Sequence, residues 1–413
     1  MIHRGPTRLY AIAACSLSVH ACTLTGADLD PLVVTEPARA DCGASECSGA
    51  EASSAPPPLD DAEPRPGEGS DPPVIDESPS PNVSALQPAQ PQPAPSGGDA
   101  GTEPAPAQPA PELPTDALVG WGSVAGLGVE TTTGGAAGAT VLATTAAELA
   151  DFAGRTEPLR IEIAGSIELG LLDVQSNKTL FGRGSEAVLR GGIRLRGSAE
   201  GAVSNVIISQ LNIDASSSGA EGDGIQLYNA HHVWIDHCSV SDAPDGLLDI
   251  VHASDFITIS FNRFFYTSAA PAPEHRFANL IGHSVDNAAE DANHLNVTLH
   301  HNWWGEGVSQ ASLVRFGDLH FFNNVFASPG NQSTLIAGKE SRVLVENNAF
   351  EGVAAPHAIL PGSSASLFAN ANHYLETTGA RDASGTAFAP AYSYTLESAE
   401  QLRLQLGAHA GPQ

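Results

Sequence analysis

The chain has 413 residues, of which 47 are acidic and 18 are Lys or Arg, so its formal net charge is -29 at pH 7. Residues 1–115 hold 4 basic and 16 acidic residues, a charge of -12, which leaves -17 for the rest. Neither part offers a basic face, and the composition therefore argues against a nucleic-acid partner.

Residues 1–22 have the layout of a secretion signal. A basic start precedes a short apolar run, which is too short to span a bilayer. The run ends in Val19-His20-Ala21-Cys22, which is similar to a bacterial lipoprotein box with Cys22 as the lipidated residue. Ordinary cleavage near the same place is the alternative. Both interpretations predict an exported protein, either secreted or anchored through lipid at the outer surface.

Residues 23–115 are predicted to be a linker. Pro, Ala, Ser, Asp and Glu dominate this segment, with runs such as Gln90-Pro91-Gln92-Pro93-Ala94-Pro95. Such a composition cannot bury a core and is typical of an extended, charged spacer. Residues 116–413 then form one folded domain, in which the lone Cys238 has no metal-type spacing and is expected to be a buried thiol.

Short β-branched strands repeat along this domain. They include Val206-Ile207-Ile208, Val233-Trp234-Ile235, Ile257-Thr258-Ile259, Val297-Thr298-Leu299, Leu319-His320-Phe321 and Val343-Leu344-Val345. The equivalent positions after these strands are Asn212, Cys238, Asn262, Asn302, Asn324 and Asn348. Their spacings are 26, 24, 40, 22 and 24 residues, so one step carries an insertion, between Asn262 and Asn302.

A period in the low twenties, with several strands in each unit, predicts a solenoid of stacked coils. The expected fold is all-β, a single-stranded right-handed parallel β-helix. Asparagines at one turn of successive coils are expected to bond to each other and to backbone groups that the bend leaves unpaired. Alternation along a strand places Trp303 and Trp304 on opposite faces, with one of them in the core.

Residues 116–413 also resemble the pectate lyase family of polysaccharide lyases. The motifs that carry the resemblance are Gly120-Trp121-Gly122, Ser176-Asn177-Lys178-Thr179-Leu180, Val233-Trp234-Ile235-Asp236-His237-Cys238, Asp245-Gly246-Leu247-Leu248-Asp249, Leu280-Ile281-Gly282-His283-Ser284 and His300-His301-Asn302-Trp303-Trp304. The resemblance implies a calcium-dependent, monomeric enzyme that cleaves polygalacturonate, or a related acidic polysaccharide, by β-elimination. Calcium and basic side chains would stabilise the negative charge of the transition state while a base removes the proton.

The resemblance places the calcium ligands at Asp223, Asp245 and Asp249, with Glu221 beside the first. Carboxylate oxygens suit calcium, and water and substrate acid groups can supply further ligands. Asp245 and Asp249 would be about 13 Å apart along a straight strand, so a shared ion requires a bend near Gly246. Solvated turn acids are the alternative interpretation.

The family's catalytic stretch has the pattern Arg-x-Pro-x-x-Arg, in which the first arginine is the base and the second binds the substrate acid. Arg315 matches the second arginine, whereas the first falls on Gln310, or on Ala311 if the loop is one residue shorter. Neither glutamine nor alanine accepts a proton at neutral pH. No catalytic residue is therefore assigned from the sequence.

Two further basic residues match substrate-binding positions of the family. Arg276 ends the inserted loop, and Lys339 is one of two lysines in the chain. A solvated arginine and a Lys339–Glu340 ion pair are the respective alternatives. His275 has a suitable pKa for a replacement base, although a lone histidine is more often a packing residue.

Three functional interpretations remain open. The first is a pectate lyase with weak activity or a substitute base, and the second is a non-catalytic, calcium-dependent binder of acidic polysaccharide on a surface stalk. The third is a purely structural β-helix. The acidic residues and Arg315 argue against the third, because a scaffold needs none of them.

Overall fold

The computed structural model of the protein describes residues 117–198, 200–219, 222–272 and 275–413. The predicted signal peptide, the lipoprotein box at Cys22, the linker and the acidic residue Glu221 lie outside the described residues. Within those ranges, no helix has the length and apolar character needed to cross a membrane.

The described residues form 25 strands and three α-helices. The first strands are β1 (Ala139–Ala143), β2 (Leu159–Ile163), β3 (Ser166–Asp173), β4 (Lys178–Gly182), β5 (Val188–Arg196), β6 (Val203–Ser209), β7 (Asn212–Asp214), β8 (Ile225–Tyr228), β9 (Ala230–Asp236), β10 (Ser239–Ser241), β11 (Gly246–Val251), β12 (Asp255–Ser260) and β13 (Arg263–Phe265). The remaining strands are β14 (Phe277–Ile281), β15 (Val297–His300), β16 (Trp303–Trp304), β17 (Gln310–Arg315), β18 (Asp318–Phe322), β19 (Val325–Phe326), β20 (Ser333–Gly338), β21 (Arg342–Glu346), β22 (Ala349–Glu351), β23 (His357–Ile359), β24 (Ser366–Asn370) and β25 (His373–Leu375). The helices are α1 (Ala146–Gly154), α2 (Ala288–Asp291) and α3 (Ala399–Gln405).

The strands pair in parallel from one coil to the next. One sheet has the order β1-β2-β4-β6-β9-β12-β15-β18-β21-β24. The second sheet has two arms that meet at β5. We call β5, β8, β11, β14, β17, β20 and β23 the front face, and β7, β10, β13, β16, β19, β22 and β25 the rear face. This all-β parallel β-helix confirms the predicted fold.

Apolar side chains in register fill the interior of the coils. One row across the front face is fully buried and consists of Leu195, Leu227, Ile250, Ile281 and Val314. Burying each such side chain is worth roughly 1.5–3 kcal/mol. Because a neighbouring coil continues each row, the core is a column that runs along the helix axis.

The predicted asparagine ladder is present at the turns that lead into the rear face. Asn302 donates from Nδ2 to Asn324 Oδ1 at 3.1 Å and to the Ile259 carbonyl at 2.9 Å. The same pattern links Asn324 to Asn348 and Asn348 to Asn372. Asn302, Asn324 and Asn348 are fully buried. Their amides satisfy the backbone groups that each bend leaves unpaired.

Cys238 takes the asparagine position of its coil. Its backbone amide donates to Asn262 Oδ1 at 2.9 Å, and its thiol donates to the carbonyls of Asp236 and Ile208. Burial raises the pKa of this thiol to about 12. The prediction of a buried thiol is confirmed.

An aromatic stack runs through the rear face beside the asparagine ladder. Phe264, Trp304, Phe326, Phe350 and Tyr374 stack in that order, with ring centroids 4.4 to 5.5 Å apart. Trp304 is fully buried, whereas Trp303 is only partly buried. The two tryptophans therefore face opposite ways, and one belongs to the core, as the alternation of the strand predicts.

Candidate functional site

The two longest turns around the front face belong to one coil. Residues 266–276 lead into β14, and residues 282–296 leave it. Together they account for the insertion between Asn262 and Asn302. The two loops adjoin opposite ends of β14.

Two of the three predicted acidic ligands converge next to this strand. Asp223 precedes β8 and Asp249 lies in β11, and both side chains are buried. A Cβ placed on Gly246 would lie 2.9 Å from Asp249 Oδ1 and 3.3 Å from Asp223 Oδ1. Glycine therefore keeps open the space between the two carboxylates, because a Cβ there would crowd both of them.

Gln226 orients the first of these acids. Its Nε2 donates to Asp223 Oδ2 at 3.0 Å, and Gln226 lies directly beside Asp249 in the strand register. The sequence offered no signal for this residue, since only the pairing of β8 with β11 brings it to the acids.

The acidic residues affect the pKa of the nearby Tyr266. Its pKa is raised, first by burial and then by the negative charges of Asp223, Asp245, Asp249 and Asp242. Its hydroxyl donates to the Phe277 carbonyl at 2.8 Å. Four carboxylates thus act on one buried phenol.

The donor set of this region fits a hard divalent cation. Carboxylate oxygens are the ligands that calcium prefers, and calcium accepts water and substrate oxygens alongside them. In the described ranges, no group of three or more His, Cys, Asp or Glu side chains is arranged to hold a metal ion by itself. The carboxylates of Asp223 and Asp249 converge on the space above Gly246, and a cation bound there would need further ligands from solvent or substrate.

Asp245 is the third predicted ligand, and it faces the loop of residues 266–276. Its Oδ1 lies 4.0 Å from His275 Nδ1, and the His275 ring stacks on Phe277 with centroids 5.8 Å apart. Asp245 directly precedes Gly246, where β11 begins, so the acids on either side of that glycine do not lie along one straight strand.

Gln310 lies in the same register row as the glycine beneath the acids. Phe277 pairs with Gly246 on one side and with Gln310 on the other. Gln310 is partly exposed, whereas Ala311 is 2% exposed and packs in the core. Of the two positions proposed for the missing arginine, only 310 presents its side chain to the front face.

Arg276 links the loop of residues 266–276 to this position. Its carbonyl accepts from the amides of Ser309 and Gln310 at 2.8 and 3.4 Å, and its Nη2 donates to the Thr267 carbonyl at 3.3 Å. The arginine therefore sits between the acidic residues and Gln310, one residue before Phe277.

Arg315 and Lys339 lie at the opposite end of the strands. Arg315 ends β17, is 2% exposed and donates from Nη1 to the Gly282 carbonyl at 2.7 Å. It pairs in register with Gly338, which directly precedes Lys339. Lys339 Nζ lies 3.6 Å from Glu340 Oε1, and its side chain is 37% exposed. The structure thus places these two basic residues beside each other and Arg276 at the far end of β14.

Comparison with known proteins extends these observations. The pectate lyase family model matches residues 119–413. A probable pectate lyase B from Aspergillus flavus is 36% identical over 231 residues, covering 53% of this chain and 65% of the relative. A probable pectate lyase A from Aspergillus fumigatus is 31% identical over 268 residues, covering 61% of this chain and 75% of the relative.

Solved structures agree with the sequence matches. A pectate lyase from Bacillus sp. N165, determined in complex with trigalacturonate, superposes with a TM-score of 0.58 at 26% identity, covering 71% of this chain and 98% of that one. The cedar pollen allergen jun a 1 shares the fold, with a TM-score of 0.55 at 24% identity. The match to the Aspergillus flavus relative spans about two thirds of that protein's length, 65%. On the family match over residues 119–413, this chain belongs to the pectate lyase family.

Proposed function

We propose that this protein is a calcium-dependent pectate lyase that cleaves polygalacturonate by β-elimination, with a rate limited by the absence of the usual arginine base. The observation that carries the proposal is the convergence of Asp223 and Asp249 on the space above Gly246, a residue whose register row also contains Gln310. The Bacillus relative in complex with trigalacturonate supports an oligogalacturonate ligand.

In this reaction a base removes the proton on the carbon next to the uronate carboxylate. A carbon–carbon double bond forms, and the linked sugar leaves with its oxygen, which takes up a proton. The transition state carries extra negative charge on the carboxylate, so fixed positive charge lowers the barrier. Bound calcium, held by Asp223, Asp245 and Asp249, would supply part of that charge.

The chain's own basic residues have separate tasks in this proposal. Arg276, next to the acids and Gln310, binds a uronate carboxylate close to the reacting carbon. Arg315 and Lys339 bind the chain at the other end of the strands. Gln310 cannot accept the proton, because an amide is not basic at neutral pH.

An ultraviolet assay tests the proposal directly. The full chain is incubated with polygalacturonate and calcium, and the absorbance of unsaturated uronate products is followed, with a chelator in a parallel sample. Slow, chelator-sensitive product formation is expected. Product formation that the chelator leaves unchanged would contradict the role of calcium.

The second candidate is a non-catalytic binder of acidic polysaccharide. The glutamine at position 310 favours it, since an amide cannot remove the proton that turnover requires. Calcium-dependent binding of polygalacturonate without any unsaturated product would establish this function instead.

The proposed place of action is outside the cell. The signal-like residues 1–22 and the linker of residues 23–115 support export of residues 116–413 on a stalk, with Cys22 as a lipid anchor. A Cys22→Ser variant should move from the membrane fraction to the medium. If the unchanged protein and the Cys22→Ser variant are found in the medium in equal amounts, the protein is secreted without a lipid anchor.

A further inference from the structure

The loop of residues 266–276 ends at Arg276, and two hydrogen bonds tie its two ends together. Tyr266 donates from its hydroxyl to the Phe277 carbonyl at 2.8 Å. Arg276 Nη2 donates to the Thr267 carbonyl at 3.3 Å. Arg276 Nε is buried and has no hydrogen-bond partner among the described residues. The Thr267 carbonyl therefore has a direct part in orienting the Arg276 guanidinium.

Asp242 holds Thr267 from the neighbouring coil. Its Oδ1 accepts from the Thr267 amide and its Oδ2 accepts from the Thr267 hydroxyl, both at 2.7 Å. Asp242 is 7% exposed, and hydrogen bonds to a charged acceptor are stronger than those between neutral groups. The carboxylate thus fixes both the backbone and the side chain of the residue whose carbonyl receives Arg276.

The strand register brings Asp242 to this position. β10 pairs with β13, so Ser241 lies beside Phe265 at the ends of the two strands. Asp242 directly follows β10, and Thr267 is the second residue after β13. Asp242 has a φ of 58°, in the left-handed region that aspartate adopts more readily than most residues. The turn that begins at Asp242 and the longer loop that contains Thr267 therefore start side by side.

Asp242 differs from the three predicted calcium ligands. Both of its carboxylate oxygens accept from Thr267, whereas Asp223 and Asp249 converge on the space above Gly246. Asp242 also raises the pKa of Tyr266 less than the three predicted ligands do. The carboxylate of Asp242 is thus engaged with the loop and not with the space for a cation.

We propose that Asp242 is a positioning residue, which acts through Thr267 to hold the Arg276 guanidinium in place for a uronate carboxylate. An arginine side chain loses rotamer freedom when it binds a ligand. A guanidinium that is already held before the ligand arrives loses less, so Asp242 raises the affinity without touching the ligand. The inference rests on the proposed function, because it explains how the Arg276 of that function is oriented.

Calorimetric titration of the full chain with trigalacturonate at saturating calcium tests this role. Asp242→Ala removes both bonds to Thr267 and should weaken binding about threefold to tenfold. Asp242→Asn removes the charge and keeps both bonds, because its carbonyl accepts from the Thr267 amide and its amide group donates to the hydroxyl oxygen. It should bind within about twofold of the unchanged protein. The control is Asp382→Ala, which removes a bond from the Ile359 amide at the last strand of the front face and should leave the affinity unchanged.

A double-mutant cycle separates positioning from a general effect on the loop. In the Arg276→Gln background, Asp242→Ala should cause no further loss of affinity, because there is no guanidinium left to orient. Thr267→Val removes only the hydroxyl bonds and should weaken binding about twofold, whereas Thr267→Ser should not. Thr267 is exposed, so this second pair tests the role of Asp242 even where Asp242→Ala does not fold. Urea unfolding midpoints show whether each variant remains folded.

The outcomes separate this role from the proposed function. If trigalacturonate binds and Arg276→Gln weakens it, but Asp242→Ala binds equally well, Asp242 has no positioning role and the proposed function stands. Equal losses for Asp242→Ala and Asp242→Asn would assign the effect to charge and overturn the inference. An equal loss from Asp242→Ala with and without Arg276 would assign the effect to the loop as a whole and also overturn it. If the unchanged protein does not bind trigalacturonate, the proposed function fails and the positioning role fails with it.

Discussion

The rear face and the front face are built by the same coils, yet they follow opposite rules. On the rear face each coil from β13 to β25 repeats the last one, with an asparagine at the turn and an aromatic ring in the stack. On the front face equivalent positions change from coil to coil, as in the row of Gly246, Phe277, Gln310 and Ser333. Repetition stabilises the solenoid, while variation at fixed spacing creates a site.

The difference has a physical cause. Identical residues in register can repeat the same bond from each coil to the next, so every added coil of the ladder adds stability. Binding needs unlike groups close together, and stacked coils bring them to within about 4.8 Å for each step. We therefore expect changes on the rear face to cost folding free energy and changes on the front face to cost affinity or rate.

Trp304 should show the largest effect of substitution. Trp304→Ala removes a fully buried ring from the middle of the aromatic stack and leaves Asn279 Oδ1 without the hydrogen bond from Nε1. The expected loss of unfolding free energy is about 3–5 kcal/mol, measured by urea denaturation. A loss below about 1 kcal/mol would mean that the stack contributes little.

Asn302 should come next. Asn302→Ala leaves the Ile259 carbonyl and the Asn262 amide without their partner in a buried turn. We expect about 2–3 kcal/mol of destabilisation in the same assay. The matched control is Asn212→Ala, since the side chain of Asn212 is only half-buried and bonds to carbonyls outside the ladder. Equal losses for the two variants would contradict a special role of the ladder.

Asp249 should separate affinity from stability. Asp249→Asn keeps the shape of the side chain and removes its charge, so calcium affinity should fall about tenfold to hundredfold. The free energy of unfolding without calcium should change little, because removing the charge of Asp249 also lowers its repulsion with the neighbouring carboxylate of Asp223. Calorimetry with calcium measures the first effect, and Asp151→Asn on the exposed surface of α1 serves as the control. Unaltered calcium binding would remove Asp249 from the site.

Buried histidines should give a smaller, pH-dependent effect. Burial lowers the pKa of His231 to about 4, from an ordinary value near 6.5. Between these values the unfolded chain binds the proton and the folded chain does not, so stability falls as pH drops from about 6.5 towards 4. His231→Gln should reduce the number of protons taken up on unfolding by up to one, so the melting temperature should fall less between pH 7 and pH 5. His409→Gln should leave it unchanged, and an equal change in both variants would refute the assignment.

The sequence predicted the parts that repeat. Spacings of 22 to 26 residues, from Asn212 through Cys238 to Asn262 and again from Asn302 through Asn324 to Asn348, were sufficient for the coil, and burial confirmed the roles of Cys238 and Trp304. Asn212 itself was less well predicted, because its amide bonds to the Ser185 and Ala187 carbonyls rather than to another asparagine.

The site was harder to predict, since its neighbours are distant in sequence. The structure places Gln226 beside Asp249, and Phe277 between Gly246 and Gln310. These pairings depend on the strand register, and the sequence does not show how the inserted residues are divided between the turns that set it. The insertion proved to be two loops on either side of β14, which no count of residues could show. The burial of Arg315 against Gly282 depends on that division too.

Position 310 provides the most direct test of the central claim, that the front face retains its binding groups and lacks only the base. The measurement is the rate of unsaturated product formation from polygalacturonate by Gln310→Arg, with Gln332→Arg as a control that adds the same charge on an exposed neighbouring turn. We predict a gain of at least about a hundredfold for Gln310→Arg alone, with calcium affinity unchanged. A rapid rate in the unchanged protein that Gln310→Arg fails to raise would contradict the claim and place the base elsewhere.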